Sequence, residues 1–337
     1  MEIKRVTNYL DSAEINLKYR NIGPMGAKAL AAGLVTNMCV KTLCISNCGL
    51  EGQGAAYILE MLQQNNTITH LDMSSNQMGT DGAMALADMF KFNTSVTHLN
   101  LSDNQFRDWD GIWIAAAIEY SDQLNYLNIA HNGFSEEGAK FIGLAIAGNS
   151  TLETLDMSFN KLRREGAVSI CKAIRDNFYI TKLDLSWNGL GFEGALTLGH
   201  SIYENRYLLE LDISNNRINW EGAFYFSKHL KHNDSLEVVK FGYNPITTTG
   251  CLDLLESVTE EGSAVKHLGL DGIPVNSKIL YIGEMLAKSR PFKLSYGDVV
   301  SGDDMLGKRY VEEYRRVMRG DPLKILLQYL ADKKIRI

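Results

Sequence analysis

Apolar and polar residues along this chain follow a pattern that returns every 28 positions. Residues 152–162 read LETLDMSFNKL and residues 180–190 read ITKLDLSWNGL, with the apolar positions in register. The first apolar position of this template recurs at Val40, Ile68, Val96, Leu124, Leu152, Ile180, Leu208 and Leu236. A weaker copy starts at Val265, and a degenerate first copy is centred on Ile15, Leu17 and Ile22. The central leucines alternate with polar residues at period two, which predicts a short strand with its leucines turned inward. Six residues after the Asn that closes the strand stands a Gly, usually followed by Ala, as at Gly82 and Ala83 or Gly166 and Ala167. An acid often precedes the pair, and apolar side chains follow the Ala by three and seven residues, as Leu86 and Phe90 do. That spacing predicts one buried face of a helix, with the acid at its positive end. An Asn near each helix end (Asn37, Asn65, Asn93, Asn149, Asn177, Asn205, Asn233) reads as a left-handed stop.

The strand-closing column is Asn76, Asn104, Asn132, Asn160, Asn188, Asn216 and Asn244, with Cys48 in that place in the second copy. Each amide can serve backbone groups in its own turn and in the neighbouring coil, forming a ladder. No single strand-helix unit can bury its own leucines, so stacked units must share one core. The expected fold is therefore an α/β leucine-rich-repeat solenoid, a horseshoe of about ten 28-residue units with a concave parallel sheet and convex helices. A unit long enough for a full helix belongs to the ribonuclease-inhibitor-like class. Residues 1–11 are read as an N-terminal cap segment, 12–290 as the solenoid, and 291–337 as a helical C-terminal cap. Within that cap one helix is expected over Asp304–Met318. A second is expected from Asp321 as N-cap and Pro322 at the first position, through Leu330.

Composition narrows the function. Of 337 residues, 45% are apolar and 22% charged, which excludes a disordered chain. No apolar run is long enough to span a membrane, and the first residues lack a signal-peptide core, so a cytoplasmic location is expected. Five cysteines are too few and too uneven for a disulfide framework. From Lys288 onward there are 12 basic and 7 acidic residues, a net of +5, so the net of −6 leaves −11 for the remainder. An acidic solenoid argues against nucleic acid as its ligand. The basic cluster Lys308, Arg309, Arg315, Arg316 and Arg319 is interrupted by Glu312 and Glu313 and reads as a solvated helix face. No phosphate loop, zinc-protease, nucleophile-elbow or paired Cys-x-x-Cys motif occurs, so no enzyme, catalytic residue, cofactor or metal is expected. Cys39, Cys44 and Cys48 occupy different phases of the repeat, and His229 and His232 lack a third ligand.

Repeat phase maps residues onto the sheet wall. Between the two strand leucines runs the column Cys44, Asp72, Asn100, Asn128, Asp156, Asp184, Asp212, Lys240. Two residues on stands a serine column (Ser46, Ser74, Ser102, Ser158, Ser186, Ser214), and one further on run Asn47, Ser75, Asp103, His131, Phe159, Trp187, Asn215 and Tyr243. Adjacent strands lie about 4.8 Å apart, so His131, Phe159, Trp187 and Tyr243 are expected to form a ridge beside Asp156, Asp184 and Asp212. Aromatics flanked by charge suit a protein partner offering a basic or amphipathic segment. The aspartates also fit a purely solubilising role. A second aromatic feature, Trp109 and Trp113, falls where Asp110 replaces the usual Gly; core packing of Trp113 and cover of the turn by Trp109 is its simplest reading.

Several stretches are more particular than the repeat: GAVSICKAIRDN, KLDLSWNGLGFEGALTLG, LLELDISNNRI, FGYNPI, HLGLDGIPV and the closing DPLKILLQYLADKKIRI. Together they resemble the leucine-rich repeat-containing protein 74 family over nearly the whole chain. In that family the tail motif leads into sequence resembling EF-hand helices, so the resemblance implies a short or shortened member. It further implies a non-enzymatic, intracellular interaction module of ciliated or sperm cells, placed in a ciliary or axonemal assembly. The alternative is a small-GTPase regulator resembling Ran GTPase-activating protein, which shares the repeat length but typically ends in an acidic tail where this chain ends basic.

Overall fold

In the computed structural model, residues 10–302 are described. They form eleven short strands alternating with ten helices: β1 (Glu14–Asn16), α1 (Gly23–Leu34), β2 (Thr42–Cys44), α2 (Glu51–Leu62), β3 (His70–Asp72), α3 (Gly79–Phe90), β4 (His98–Asn100), α4 (Gly111–Tyr120), β5 (Tyr126–Asn128), α5 (Glu136–Gly148) and β6 (Thr154–Asp156). There follow α6 (Arg164–Asp176), β7 (Lys182–Asp184), α7 (Gly191–Glu204), β8 (Glu210–Asp212), α8 (Trp220–Leu230), β9 (Val238–Lys240), α9 (Thr247–Ser257), β10 (His267–Leu270), α10 (Ser277–Ser289) and β11 (Lys293–Tyr296). All strands belong to one sheet in chain order. The described residues fall into two compact units, one up to Leu162 together with Tyr179–Leu185, the other Arg163–Phe178 together with Ser186 onward.

In the first unit the parallel register places the same template position on every strand: Leu43 beside Leu71, then Leu99, Leu127, Leu155 and Leu183. All six are buried, at about 1.5–3 kcal/mol for each such side chain. The second unit repeats the arrangement with Leu211, Val239, Leu268 and Leu294. Helix residues at the predicted spacing, including Leu86, Phe90, Ile170 and Ile174, close the other side of the core.

The strand-closing ladder forms as its chemistry requires. Asn76 donates from Nδ2 to the carbonyls of Ile45 (2.8 Å) and Met73 (2.9 Å), while its Oδ1 accepts from the amide of Cys48 at 2.9 Å. Cys48 supplies a thiol donor in the same place, reaching the Leu17 carbonyl at 3.0 Å, 31 residues back as for Asn76 and Ile45.

Two expectations need correction. The helix-end asparagines are not left-handed: Asn149, Asn177 and Asn205 sit at the C-caps in extended conformation. They build a second ladder instead. Asn93 Nδ2 donates to the carbonyls of Leu62 (2.7 Å) and Asn65 (3.1 Å), and its Oδ1 accepts from Ser95 and Val96. Such an amide satisfies the otherwise orphaned carbonyl at the preceding helix's end, a stronger reason for Asn than backbone freedom. The strand series also passes residue 290, because β11 pairs in parallel with β10 at a position where the sequence pattern has already faded. Residues 1–9, the expected helices at 304–330 and the basic cluster at 308–319 lie outside the described residues.

The departure at Asp110 has a local explanation. A short 3-10 turn, Asp108–Asp110, precedes α4, and the Arg107 amide donates to Asp110 Oδ2 at 2.7 Å. The Asp108 carboxylate reaches forward one repeat and accepts from the amides of Ser135 (2.7 Å), Gly138 (2.8 Å) and Glu137 (3.2 Å) at the start of α5. Gly138 is required there, since a Cβ would collide with the Asp108 carbonyl.

Candidate functional site

The residue just before each strand-closing Asn shares one backbone conformation. Asn47, Ser75, Asp103, His131, Phe159, Trp187, Asn215 and Tyr243 all have φ between 51° and 57°. Tyr19, in the degenerate first copy, joins them at φ 64°. Asn, Asp and His are the usual non-glycine occupants of this left-handed region, whereas Phe, Trp and Tyr pay a steric penalty there. These rings are only partly buried: Phe159 is 37% exposed, Trp187 49%, Tyr243 61% and Tyr19 68%. In the first unit His131 stacks on Phe159, with ring centroids 4.0 Å apart and planes 12° from parallel. Trp187 and Tyr243 occupy the same column in the second unit.

The polar columns have turn-building roles. Asp72 Oδ1 accepts from the Ser74 amide at 3.0 Å, and Asp156 and Asp212 accept from Ser158 and Ser214 in the same way. Asn100 and Asn128 make the same bond without a charge, so the bond does not require one. Asp212 is further engaged by Lys240 at 3.1 Å. The serines at 46, 74, 158 and 186 are buried rather than lining the wall; Ser74 Oγ donates to Asp72 Oδ1 at 2.6 Å and lies 2.8 Å from Ser46 Oγ.

Three features were not legible as a site. Tyr19 belongs to the ring column, and its place 28 residues before Asn47 would have revealed it. At the strand starts His70, His98 and Tyr126 stack in sequence, with centroids 4.1 Å and then 5.9 Å apart. Thr69 and Thr97 hydroxyls lie 2.8 and 2.9 Å from the respective His Nδ1 atoms, and burial followed by the neighbouring His70 holds His98 below the usual imidazole pKa. Third, a cavity of about 530 Å³ opens beside the first unit's ring pair, lined among others by Asp103, Arg107, Asp108, His131, Ser135 and Lys161.

Elsewhere the candidates separate. Trp109 is 71% exposed on its turn and does not cover it closely, while Trp113 is half-buried. Cys39 is exposed and Cys44 half-buried, and burial pushes the Cys171 thiol up to about 12. No three metal-capable side chains converge, and no helix is long and apolar enough to cross a membrane, among the described residues. His229 is buried, with Nδ1 2.9 Å from the Tyr225 carbonyl.

Comparison with known proteins agrees with this geometry. Residues 64–87, 92–109, 124–143, 148–171, 176–199 and 204–227 match the family described as Leucine Rich repeat. The described residues fold as a leucine-rich-repeat solenoid. Among solved structures the solenoid is similar to an internalin (inlF) from Listeria monocytogenes, with a TM-score of 0.53 over 89% of this chain and 84% of that one. Sequence identity is 12%, so what is shared is the fold.

Proposed function

We propose that this solenoid is a non-enzymatic protein-interaction scaffold that holds a partner segment against the ring-bearing turn edge of its sheet. The observation carrying this reading is the set of exposed Phe, Trp and Tyr side chains at left-handed positions. Left-handed backbone costs such residues roughly 1–2 kcal/mol each. Each ring also leaves apolar surface uncovered, and residues held in such backbone regions cluster at functional sites. Aromatic anchors dominate protein interfaces. The partner is an amphipathic segment, apolar toward His131, Phe159, Trp187 and Tyr243, with basic groups toward Asp156, Asp184 and Asp212. The family resemblance of the tail motif supports an axonemal or other ciliary setting.

Cross-linking mass spectrometry after affinity capture from ciliated tissue tests this, comparing wild type with Phe159→Ala/Trp187→Ala/Tyr243→Ala of verified fold. The expected result is at least about a tenfold loss of one cross-linked partner, equivalent to about 1.4 kcal/mol, with Trp109→Ala unchanged. Undiminished partners cross-linked to the helices would overturn the reading. Recovery of a small GTPase whose hydrolysis is accelerated would replace it with the regulator alternative.

A further inference from the structure

The cavity beside the His131–Phe159 stack brings two acids, two bases and a histidine together, and the acids are not equally free. Five ionisable side chains line it: Asp103, Arg107, Asp108, His131 and Lys161. Asp108 is already committed, since three amides at the N-terminus of α5 surround its carboxylate. That leaves Asp103 as the one acid whose charge is not met by a helix end. Arg107 and Lys161 are both exposed, and neither has an ion-pair partner among the described residues. Two unpaired cations therefore face one cavity in a protein of net charge −6. The backbone of the walls is tied across repeats. The Gly133 amide donates to the Phe106 carbonyl at 2.7 Å, and Lys161 is anchored by its amide to the Phe134 carbonyl at 2.9 Å. A Cβ at Gly133 would press on that Phe106 carbonyl at 2.7 Å, so glycine permits the close approach of the two turns that form the floor.

From this we infer that the cavity receives an acidic side chain of the bound partner, seated between Arg107 and Lys161 while a neighbouring apolar residue rests on Phe159. The inference rests on the scaffold reading and adds a specificity determinant to it. His131 links the two parts, because it both lines the cavity and stacks on Phe159. Guanidinium and ammonium groups together favour a carboxylate over a neutral amide.

Two probes, acetyl-Phe-Glu-amide and acetyl-Phe-Gln-amide, are titrated into the whole chain while the ring-proton resonances of His131 are followed by NMR. The expected result is saturable movement of those resonances, with the glutamate probe binding at least fivefold more tightly. Arg107→Glu/Lys161→Glu, with circular dichroism unchanged, should remove that preference, while Phe159→Ala should weaken both probes alike. Equal affinity of the two probes, or a preference that survives the double charge reversal, would overturn the inference and leave the ring-based reading standing. Failure of both probes to move His131 would overturn both readings. Inorganic phosphate displacing the glutamate probe at lower concentration than glutamate itself would assign the cavity to a free anion and overturn the inference.

Discussion

At residue 229 an imidazole is buried against the carbonyl of Tyr225, between α7 and α8 in the second unit. Burial holds its pKa below the usual value of about 6.5, His200, His232 and Lys228 add repulsion, and the Tyr225 carbonyl only partly opposes them. The unfolded chain therefore takes up this proton first. Stability is fully present above about pH 6.5 and falls as pH drops through the lowered folded value. Thermal melts between pH 7.5 and 5 should show a decline that is shallower in His229→Gln. At the turn edge the same scale separates two kinds of left-handed residue. Asn47, Asp103 and Asn215 suit the backbone they adopt, whereas Phe159 and Tyr243 do not. Position in the repeat identified the rings; their backbone strain could be read only from φ.

Between elements, the Asp108 carboxylate caps a helix in the next repeat, a contact 27 to 30 residues away in sequence. Burial pushes its pKa up, but the bonds from Ser135, Gly138 and Glu137 outweigh burial and hold it below the usual carboxylate value. Its contribution is present above about pH 4 and is lost as pH falls through the lowered folded value. Asp108→Ala should cost about 1–2 kcal/mol in urea unfolding at pH 7, with the gap from wild type closing in acid. The sequence displayed Asp110 as the anomaly because it stands where Gly is expected. The residue that bridges the repeats is two positions earlier, and nothing in a one-dimensional pattern distinguishes it from any other surface aspartate.

Across the whole molecule, stability is a sum over neighbouring repeats rather than the property of a central core. Asn104 is fully buried; its Nδ2 donates to the carbonyls of Met73 and Leu101, each at 3.0 Å, and its Oδ1 accepts from the Asn76 amide at 3.0 Å. Asn104→Ala orphans the Asn76 amide and takes one of two donors from each carbonyl, since Asn76 Nδ2 still reaches Met73 and Asn132 Nδ2 still reaches Leu101, which predicts a loss of about 1–3 kcal/mol. In hydrogen exchange the lost protection should concentrate in β3, β4 and β5 and leave β9 and β10 close to wild type. Uniform loss over all strands would show coupling beyond nearest neighbours.

Strand positions, helix faces and the strand-closing Asn ladder were all determined by the sequence alone. The physical reason is repetition: each unit poses the same burial problem and solves it with the same residues, so periods of two, near 3.6 and 28 are written into the chain. The second Asn ladder was visible as a column, yet its cause was misread, since carbonyls waiting 28 and 31 residues back belong to no local pattern. β11 was missed because Lys293–Tyr296 is recruited by the edge of β10 after its own repeat signature has faded. The candidate site divides along the same line. Sequence phase put His131, Phe159, Trp187 and Tyr243 in one column. Only the tertiary structure decided that their backbone is left-handed, that the serines beside them are buried, and that Arg107 and Lys161 face a common cavity. Conformation, exposure and the meeting of side chains from different repeats arise when chain segments pack, and that packing is where the sequence pattern stops being local.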